Sequence, residues 1–237
     1  MTARRIGLLG GTFDPVHMGH LDLAATAHAA LGLTQLLVIP ANVPPHRPTP
    51  LTSSFHRFAM VSIAVAGHDG WRASDIELRH EAPSYTATTL RRFHERGYLA
   101  TELFFLIGAD AFGDIAAWRD YPHILDRAHF AVISRPRCPV NDMGGRLPAL
   151  ASRMVHATPG CELPGTPSIF LIDGATSDVS STAIRTLHSR GEAIDGMVDR
   201  RVQQHIEQHG LYRSPPPDRR NAIGPAGPTA DRLHGQD

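Results

Sequence analysis

Short, wholly apolar runs alternate with helical patterns along most of the chain, and this alternation restricts the fold more than any other feature. Strands that are buried on both faces carry apolar side chains throughout, because neither face meets water. When helices separate such strands, the expected arrangement is a parallel sheet covered by helices on both faces. The predicted strands span residues 6–9, 35–39, 103–107, 130–134 and 168–172.

Helical periodicity fills most of the segments between these strands. Glycines follow the first three predicted helices, as is common at helix C-termini. The predicted helices span residues 20–31, 55–66, 85–96, 110–118, 122–127, 181–189 and 199–209, and residues 71–80 are expected to be extended. The pattern therefore predicts the α/β class with a doubly wound parallel sheet, in which ligands bind beyond the carboxyl ends of the strands.

Two segments depart from the alternation. Residues 136–167 are rich in proline and glycine and are expected to form a long irregular loop with a short helix near 147–152. Residues 214–237 contain little that could be buried, which predicts a disordered tail. One domain is therefore expected over residues 1–213, with the 136–167 segment as an irregular insertion.

Composition excludes several kinds of site. The chain has 23 basic and 23 acidic residues, so no net field favours nucleic acid or an anionic membrane. Every basic residue is arginine, which excludes a phosphate-binding or Schiff-base lysine. Cys138 and Cys161 have no metal-like spacing and are expected to be free thiols. With neither a signal peptide nor a membrane span in the sequence, a cytoplasmic protein is expected.

The motif GGTFDPVHMGHL at 10–21 directly follows the first predicted strand. Gly10 and Gly11 leave the backbone of the turn, including Thr12 and Phe13, open to close approach by an anion. The following helix begins near Gly19, and the free N–H groups of its first turn also favour a phosphate. A tight strand-to-helix connection without any ligand explains the glycines equally well.

His17 and His20 lie where their side chains face the same space as these glycines. Zinc would need further ligands, and no second close histidine pair at ligand spacing stands out among the 15 histidines, so no metal site is predicted. Nucleophilic catalysis lacks an orienting partner. The favoured interpretation is that both histidines donate to phosphoryl oxygens as charge develops in a transition state.

The stretch GGTFDPVHMGH resembles the G-G-x-F-D-P-x-H-x-G-H signature of the nucleotidyltransferase superfamily. Near the other end, SSTAIR at 180–185 is similar to the second signature of that superfamily, a loop and helix start that holds ATP phosphates. Ser180, Ser181 and Thr182 are good N-caps with hydroxyls expected to be free, and Arg185 is expected to point at the same anion. Alone, SST predicts only a helix cap.

Three further segments resemble the bacterial-type nicotinate mononucleotide adenylyltransferases within this superfamily. They are NVPPHRP at 42–48, APSYTATTL at 82–90, and FFLIGAD with WRDYPHIL between 104 and 125. The resemblance runs from about residue 5 to residue 213 and falters only over 136–167. It implies a single Rossmann-like domain.

The resemblance also assigns residues to the nucleotide. His46 and Arg47 would be mobile contacts to the triphosphate, and Arg135 would join the nucleotide-binding residues. Gly108 and Asp110 end a strand, and Asp110 would approach ribose hydroxyls. The alternative for Asp110 is that it merely caps the helix that follows.

The pyridine end of the acceptor is expected beside two of these segments. Ser84 would cap a helix whose early amides, at Tyr85 and Thr86, meet the carboxylate of nicotinate, and this helix end suits a carboxylate better than a neutral carboxamide. Trp118 would offer a flat face to the ring, although a single tryptophan is more often part of a core.

The implied reaction joins ATP and nicotinate mononucleotide into deamido-NAD and pyrophosphate. The acceptor phosphate is already largely dianionic at neutral pH, because its second pKa is about 6, so no general base is needed. Mg²⁺ would arrive with ATP, without a dedicated protein site. Alternatives are another adenylyl- or cytidylyltransferase, such as a pantetheine-phosphate adenylyltransferase, or a non-catalytic nucleotide sensor. Nucleic-acid or membrane partners are not expected, and a homo-oligomer stays open.

Overall fold

The computed structural model describes residues 4–45, 49–158, 160 and 162–213, so the predicted tail at 214–237 lies outside the described residues. Its sheet has seven strands in the order β3-β2-β1-β4-β5-β7-β6, and each neighbouring pair is parallel. The strands are β1 (Ile6–Gly11), β2 (Gln35–Pro40), β3 (Trp71–Ala73), β4 (Leu103–Gly108), β5 (His129–Ile133), β6 (Met154–His156) and β7 (Ile169–Ile172). This arrangement confirms the predicted doubly wound α/β fold.

Helices cover both faces of the sheet. They are α1 (Met18–Leu31), α2 (Ser54–Val65), α3 (Thr86–Glu95), α4 (Ala109–Phe112), α5 (Met143–Arg146), α6 (Ser181–Ser189) and α7 (Arg200–Gln208). Helices α1 to α5 lie in connections between successive strands, and α6 and α7 follow the last strand. One apolar core contains buried side chains of α1, α2, α6 and α7, and the core on the opposite face contains those of α3 and α4. The strands β1, β2, β4, β5 and β7 contribute buried side chains to both cores, which explains their apolar runs.

Helix ends follow the expected chemistry where the chain supplies it. Gly32 ends α1 with a φ of 58°, in the left-handed region that glycine adopts without a side-chain clash. The hydroxyl of Ser53 accepts the N–H of His56 and so caps α2. Both ends lie within a few residues of the sequence-based expectation.

Three predicted segments differ from the structure. The helix expected over 110–118 is split into α4 and a 3₁₀ turn at Ile115–Ala117, and the one expected over 122–127 is a 3₁₀ turn at His123–Asp126. The 136–167 segment holds the expected short helix, as a 3₁₀ helix at Pro148–Arg153, but also α5 and the edge strand β6, which were not predicted. Strand β6 has no buried residue, so it left no apolar signature in the sequence.

Two smaller observations complete the description. Cys138 is a free thiol whose Sγ lies 2.8 Å from Nη1 of Arg146, while Cys161 falls outside the described residues. Among the described residues, none of the helices has the length and apolar character required to cross a bilayer.

Candidate active site

The order of the strands places the glycine motif at the point where the chain reverses its direction of winding. Strands β1 and β4 are neighbours, with β2 beyond β1 and β5 beyond β4. Successive connections therefore leave a crevice between the carboxyl ends of β1 and β4, which is where open α/β sheets bind ligands. Gly10 and Gly11 end β1, and Gly108 ends β4.

The two glycines of β1 have different reasons to be glycine. A Cβ on Gly11 would lie 2.9 Å from the Phe13 ring, so packing within the chain excludes a side chain there. A Cβ on Gly10 would meet only the Phe105 ring at 3.6 Å, an ordinary contact, and Gly10 is exposed. Nothing in the described fold demands glycine at position 10, and its exposed backbone is open to the approach of a ligand.

Phe13 supports the loop from below. Its side chain is 1% exposed and its φ of 52° lies in the left-handed region, which non-glycine residues adopt only where packing holds them. The ring packs edge-on against His20, with centroids 4.9 Å apart. Only the backbone of this predicted binding residue remains available to a ligand.

Asp14 anchors the loop to two distant parts of the chain. Its carboxylate, in a residue 4% exposed, accepts the Leu51 N–H at 2.8 Å and the Thr52 hydroxyl at 2.7 Å. The hydroxyl of Tyr212 donates to the same carboxylate at 2.8 Å. Burial raises the pKa of Tyr212, which keeps its hydroxyl protonated and able to donate. Hydrogen bonds to a charged acceptor are stronger than neutral ones, so this carboxylate fixes the loop.

Arg57 holds the other side of the loop from within the core. It projects from α2, is 1% exposed, and donates from Nη1 to the carbonyls of Thr12 at 2.8 Å and Ala41 at 2.5 Å. Its Nη2 donates to the carbonyl of Asn42 at 3.2 Å. Burial lowers the pKa of Arg57, an effect that the nearby Asp14 carboxylate opposes, and the guanidinium remains charged. The arginine thus joins the segment after β1 to the segment after β2.

His17 and His20 lie together at the start of α1, as their spacing predicts. Their rings stack with centroids 3.7 Å apart, and the His17 N–H donates to Nδ1 of His20 at 3.3 Å. This bond makes Nδ1 of His20 the acceptor, so in the neutral ring Nε2 carries the proton and is the donor.

His17 is 4% exposed, and within the described residues its Nδ1 is buried without a hydrogen-bond partner. Burial, with a smaller contribution from the Arg135 cation, lowers the pKa of His17 to about 4, and Asp22 opposes this weakly. The ring is therefore neutral at pH 7. A buried polar atom of this kind is rare and marks a position where a ligand atom can complete the hydrogen bonding.

Arg135 lies between the start of α1 and the end of β4. Its Nη1 donates to the carbonyl of Gly19 at 3.2 Å, and a Cβ on Gly108 would lie 3.0 Å from its side chain. The same Cβ would lie 2.5 Å from Oδ1 of Asp110, so Arg135 and Asp110 both pack over the glycine that ends β4. Asp110 is exposed in the first turn of α4, whose N-cap is Gly108, so the alternative role of Asp110 as the cap is wrong.

The start of α6 packs directly against the glycine motif. The hydroxyl of Ser181 donates to the Pro15 carbonyl at 2.8 Å, and the hydroxyl of Ser180 caps α6 by accepting the Ala183 N–H at 3.2 Å. Thr182 is exposed and accepts from an arginine side chain. Ser180 is thus the N-cap that the sequence predicts, whereas the expectation of a free hydroxyl is wrong for Ser181, whose bond to Pro15 seats the helix. Within the described residues, the hydroxyls of Ser180 and Thr182 accept hydrogen bonds only from within α6.

Arg185 is likewise engaged with the loop. Its Nη1 donates to the Asp14 carbonyl at 2.7 Å, and its Nη2 donates to the Thr182 hydroxyl at 3.3 Å. These bonds hold the guanidinium beside the motif. Because an arginine has five N–H donors, some remain for an anion.

On the opposite side of the crevice, α3 begins one residue later than it would if Ser84 were its N-cap, as predicted. The N-cap is Tyr85, and the Ser84 hydroxyl instead accepts the Asn42 N–H at 2.9 Å. The Tyr85 N–H donates to the Pro83 carbonyl at 3.0 Å. The amides of Tyr85 and Thr86 were both predicted to meet a carboxylate. The Tyr85 amide is used by the Pro83 carbonyl, whereas the Thr86 amide lies in the first turn of α3, where the helix provides no acceptor for it.

The two segments predicted to hold the pyridine ring do meet. The Arg119 guanidinium lies over the Tyr85 ring, 4.6 Å from its centroid, and so brings a positive charge to the start of α3. Trp118 is half-buried and packs edge-on against Phe105, with centroids 5.9 Å apart, and Phe105 is the ring beneath Gly10. The indole therefore packs against the core on the α3 face of the sheet, next to the ring that a Cβ on Gly10 would meet.

A buried carboxyl supports this side. Glu77 is 7% exposed and accepts the Thr89 hydroxyl of α3 at 2.5 Å. Burial raises the pKa of Glu77, and hydrogen bonds from Thr89 and Ser84 and the charge of Arg92 oppose the shift. Glu77 is thus a structural support for α3.

The predicted site residues His46 and Arg47 lie outside the described residues. Three other residues that shape the site were not apparent in the sequence: Asp14, Arg57 and Tyr212. Their partners are up to 198 positions away, so no local pattern connects them to the loop. Aspartate in the GGTFDP motif was the one visible signal, since a short acidic side chain in a turn usually binds backbone N–H groups.

Comparison with known proteins agrees with this geometry. The model of the cytidylyltransferase-like family matches residues 8–187, which include the glycine motif, the crevice and the start of α6. The matched residues include most of β1 and all of β4, the two strands that border the crevice. The chain therefore belongs to the cytidylyltransferase-like family. Among the members, it belongs with the nicotinate-nucleotide adenylyltransferases, as relatives of nearly equal length indicate.

These relatives match most of the chain and nearly their own full length. A protein of Pseudomonas fluorescens named probable nicotinate-nucleotide adenylyltransferase is 38% identical over 212 residues, which cover 90% of this chain and 99% of the relative. The nicotinate-nucleotide adenylyltransferase of Salmonella typhimurium is 36% identical over 207 residues, which cover 87% of this chain and 97% of the relative. A solved structure with the same fold is that of Plasmodium falciparum nicotinic acid mononucleotide adenylyltransferase complexed with NaAD, with a TM-score of 0.68. The two sequences are 18% identical, and the match covers 88% of this chain and 97% of that chain.

Proposed function

We propose that this enzyme transfers the adenylyl group of ATP to nicotinate mononucleotide, giving deamido-NAD and pyrophosphate in NAD biosynthesis. The observation that carries the proposal is the neutral, buried His17 stacked on His20 at the end of β1, where the helix start, Gly10 and Arg135 surround one crevice. Such a set of donors suits the phosphate chain of a nucleotide, and the relatives above bear the name of this activity.

The reaction needs positioning more than proton transfer. An oxygen of the mononucleotide 5′-phosphate attacks the α-phosphorus of ATP, a new P–O bond forms, and the bond to the β-phosphate oxygen breaks, with its electron pair leaving on pyrophosphate. The attacking phosphate is largely dianionic at pH 7. The reaction therefore requires no general base from His17 or His20.

The histidines would act as neutral hydrogen-bond donors to the phosphoryl oxygens. His20 offers Nε2–H because its Nδ1 accepts the backbone N–H of His17. Arg135 and Arg185 contribute positive charge from the two sides of the loop. Donors that are fixed before the reaction stabilise the developing charge without having to reorganise, which is the largest catalytic effect available to such a site.

The donor set at the crevice fits Mg²⁺ that arrives with ATP. The carboxylates of Asp14 and Asp22 are engaged by Thr52 and Ser177, whereas Asp110 is exposed at the end of β4. Mg²⁺ binds few protein ligands and keeps its waters and phosphate oxygens, so one exposed carboxylate suffices. When bound, Mg²⁺ would neutralise charge on the phosphates, and Asp110 is the residue placed to contact it or the ribose.

The acceptor is proposed to bind on the α3 side. The Thr86 amide at the positive end of α3 and the Arg119 cation over Tyr85 both favour a carboxylate, which nicotinate has and nicotinamide lacks. Trp118 supplies an aromatic face beside them. These residues would make the enzyme prefer the acid form of the mononucleotide.

Two measurements test the proposal. With ATP as donor, kcat/KM measured by pyrophosphate release should be higher for nicotinate mononucleotide than for nicotinamide mononucleotide, and a clear preference for the amide would refute the carboxylate site. His20→Ala should lower kcat by roughly 10²- to 10³-fold if His20 donates to the transition state. Near-normal turnover of the folded variant would remove that role.

The alternative activities have distinct outcomes in the same assay. Exclusive turnover of phosphopantetheine, or a preference for CTP, would identify another branch of the nucleotidyltransferases. Saturable ATP binding without pyrophosphate release from any acceptor would instead identify a nucleotide sensor. The retained histidine pair and the seating of α6 against the motif favour catalysis.

A further inference from the structure

Three histidines from distant parts of the chain meet on the surface between α2 and α7. His56 lies in the first turn of α2, His205 in the last turn of α7, and His209 is the C-cap of α7. One ring nitrogen from each residue lies within 4.8 Å of the others. The pair His205 and His209 is spaced i, i+4, which is a ligand spacing that was overlooked in the sequence.

The geometry of this histidine cluster is close to that of a metal site. Nδ1 of His56 and Nε2 of His205 are 3.1 Å apart, and the ring centroids of the three histidines are separated by 4.4, 4.9 and 5.3 Å. Zinc–nitrogen bonds of about 2.0–2.1 Å in a tetrahedron place two ligand nitrogens roughly 3.3 Å apart. Small rotations of side chains would therefore bring the three nitrogens to one ion.

We propose that His56, His205 and His209 bind a divalent transition-metal ion of the zinc type, with water in the fourth position. Three imidazoles and no carboxylate form a nitrogen-only set, which suits Zn²⁺, Cu²⁺ or Ni²⁺ and not Mg²⁺ or Ca²⁺. His209 is exposed and His56 and His205 are half-buried, so the fourth position opens to solvent.

The electrostatics of the cluster agree with this assignment. Burial, and then the neighbouring His209 and His56, lower the pKa of His205, so that its neutral form predominates at pH 7. Neutral imidazole is the form that binds metal. Without a metal, His56 and His205 can share only a single hydrogen bond. A bound cation would replace it with one metal–nitrogen bond to each ring.

Such an ion would clamp the elements that brace the glycine loop. Thr52, just before α2, and Tyr212, just after α7, both bond to Asp14. His56 and His209 lie four and three residues from them along the chain, so the histidine cluster spans the same two segments at a second point. The expected role is to stabilise the fold, and it does not depend on the proposed reaction.

Zinc binding by the untagged protein, after chelator treatment, tests the site without any turnover. The wild type should bind one Zn²⁺ per chain, measured by competition with a chromophoric chelator. His56→Asn, His205→Asn and His209→Asn should each weaken binding by at least the roughly 10- to 100-fold that loss of an outer-shell partner costs. Zn²⁺ at 100 times its Kd should raise the Tm of the wild type by about 5–10 °C.

A matched control and a second readout keep the outcome decisive. His156→Asn changes an exposed histidine on β6, at the opposite edge of the sheet from α2, and should bind zinc as the wild type does. Co²⁺ on the wild-type protein should show tetrahedral d–d bands, which requires no variant to fold. Absence of saturable binding, equal binding by the three cluster variants, an octahedral Co²⁺ spectrum, or equal competition by Mg²⁺ would each overturn the proposal.

Discussion

Acidification is expected to destabilise the fold through His129, and the size of the effect follows from the surroundings of this residue. His129 is 0% exposed on β5 and stacks on Phe104, with ring centroids 4.7 Å apart. Its Nδ1 accepts the Ser168 N–H at 3.0 Å. Burial lowers the pKa of His129 to about 4, an effect that the Thr101 carbonyl only partly offsets.

The sign and magnitude follow from proton binding in the two states. The folded pKa of about 4 lies below the value of 6.5 for the unfolded chain, so the stabilisation is complete above pH 6.5 and is lost as the pH falls towards 4. Between pH 7 and pH 5, the unfolded histidine gains about 0.7 of a proton while the folded one gains about 0.1, which lowers the free energy of unfolding by about 1.8 kcal/mol.

Urea unfolding of the ligand-free protein at pH 7 and pH 5 measures this loss. His129→Gln keeps an acceptor for the Ser168 N–H but has no titratable group. The variant is expected to lose about 1.8 kcal/mol less than the wild type over this range. Contributions from other groups, such as His17 and the oppositely shifted Glu77, are common to both proteins and cancel. If both proteins lose the same stability, His129 does not titrate as its burial requires.

Three substitutions around the glycine loop separate stability from binding. Arg57→Ala leaves three carbonyls without their donor and should cost about 3 kcal/mol, seen as a Tm lower by roughly 6–12 °C; an unchanged Tm would contradict its bracing role. Gly10→Ala should leave the Tm unchanged, because there is room for a Cβ beside the Phe105 ring. It should lower kcat/KM for ATP by about 10- to 100-fold. Full activity of this variant would show that no ligand approaches the backbone of Gly10. Tyr212→Phe removes a bond to the Asp14 carboxylate and should cost about 1.5–3 kcal/mol in urea unfolding, a loss that a merely exposed hydroxyl would not produce.

The fold was largely predictable from the sequence because its strands are buried on both faces. Uniformly apolar segments such as LFFLIG of β4 are hard to explain in any other arrangement. Edge strands gave no such signal: β3 has one buried residue and β6 has none. The length of the helix after β4 was also overestimated, since periodicity does not show where a four-residue helix ends.

The candidate site was predictable where neighbouring residues in sequence are neighbours in space. The stacking of His17 on His20 follows from their positions at the first turn of one helix. The capping role of Ser180 followed in the same way, but the partner of the Ser181 hydroxyl did not, because its acceptor lies 166 positions away. The same limit hid Arg57, whose three acceptors are carbonyls, which every residue has and no sequence pattern marks.

The bond between Tyr212 and Asp14 also has a consequence for synthesis of the protein on the ribosome. The two residues are 198 positions apart, so at about 5–20 residues per second the loop waits roughly 10–40 s for this partner. As β2 and then β4 are made in that time, the nascent chain can pair β1 with each of them, yet the Asp14 carboxylate lacks the last of its three donors until Tyr212 is made. The nucleotide crevice is thus the first part of the sheet to be translated and among the last to be completed.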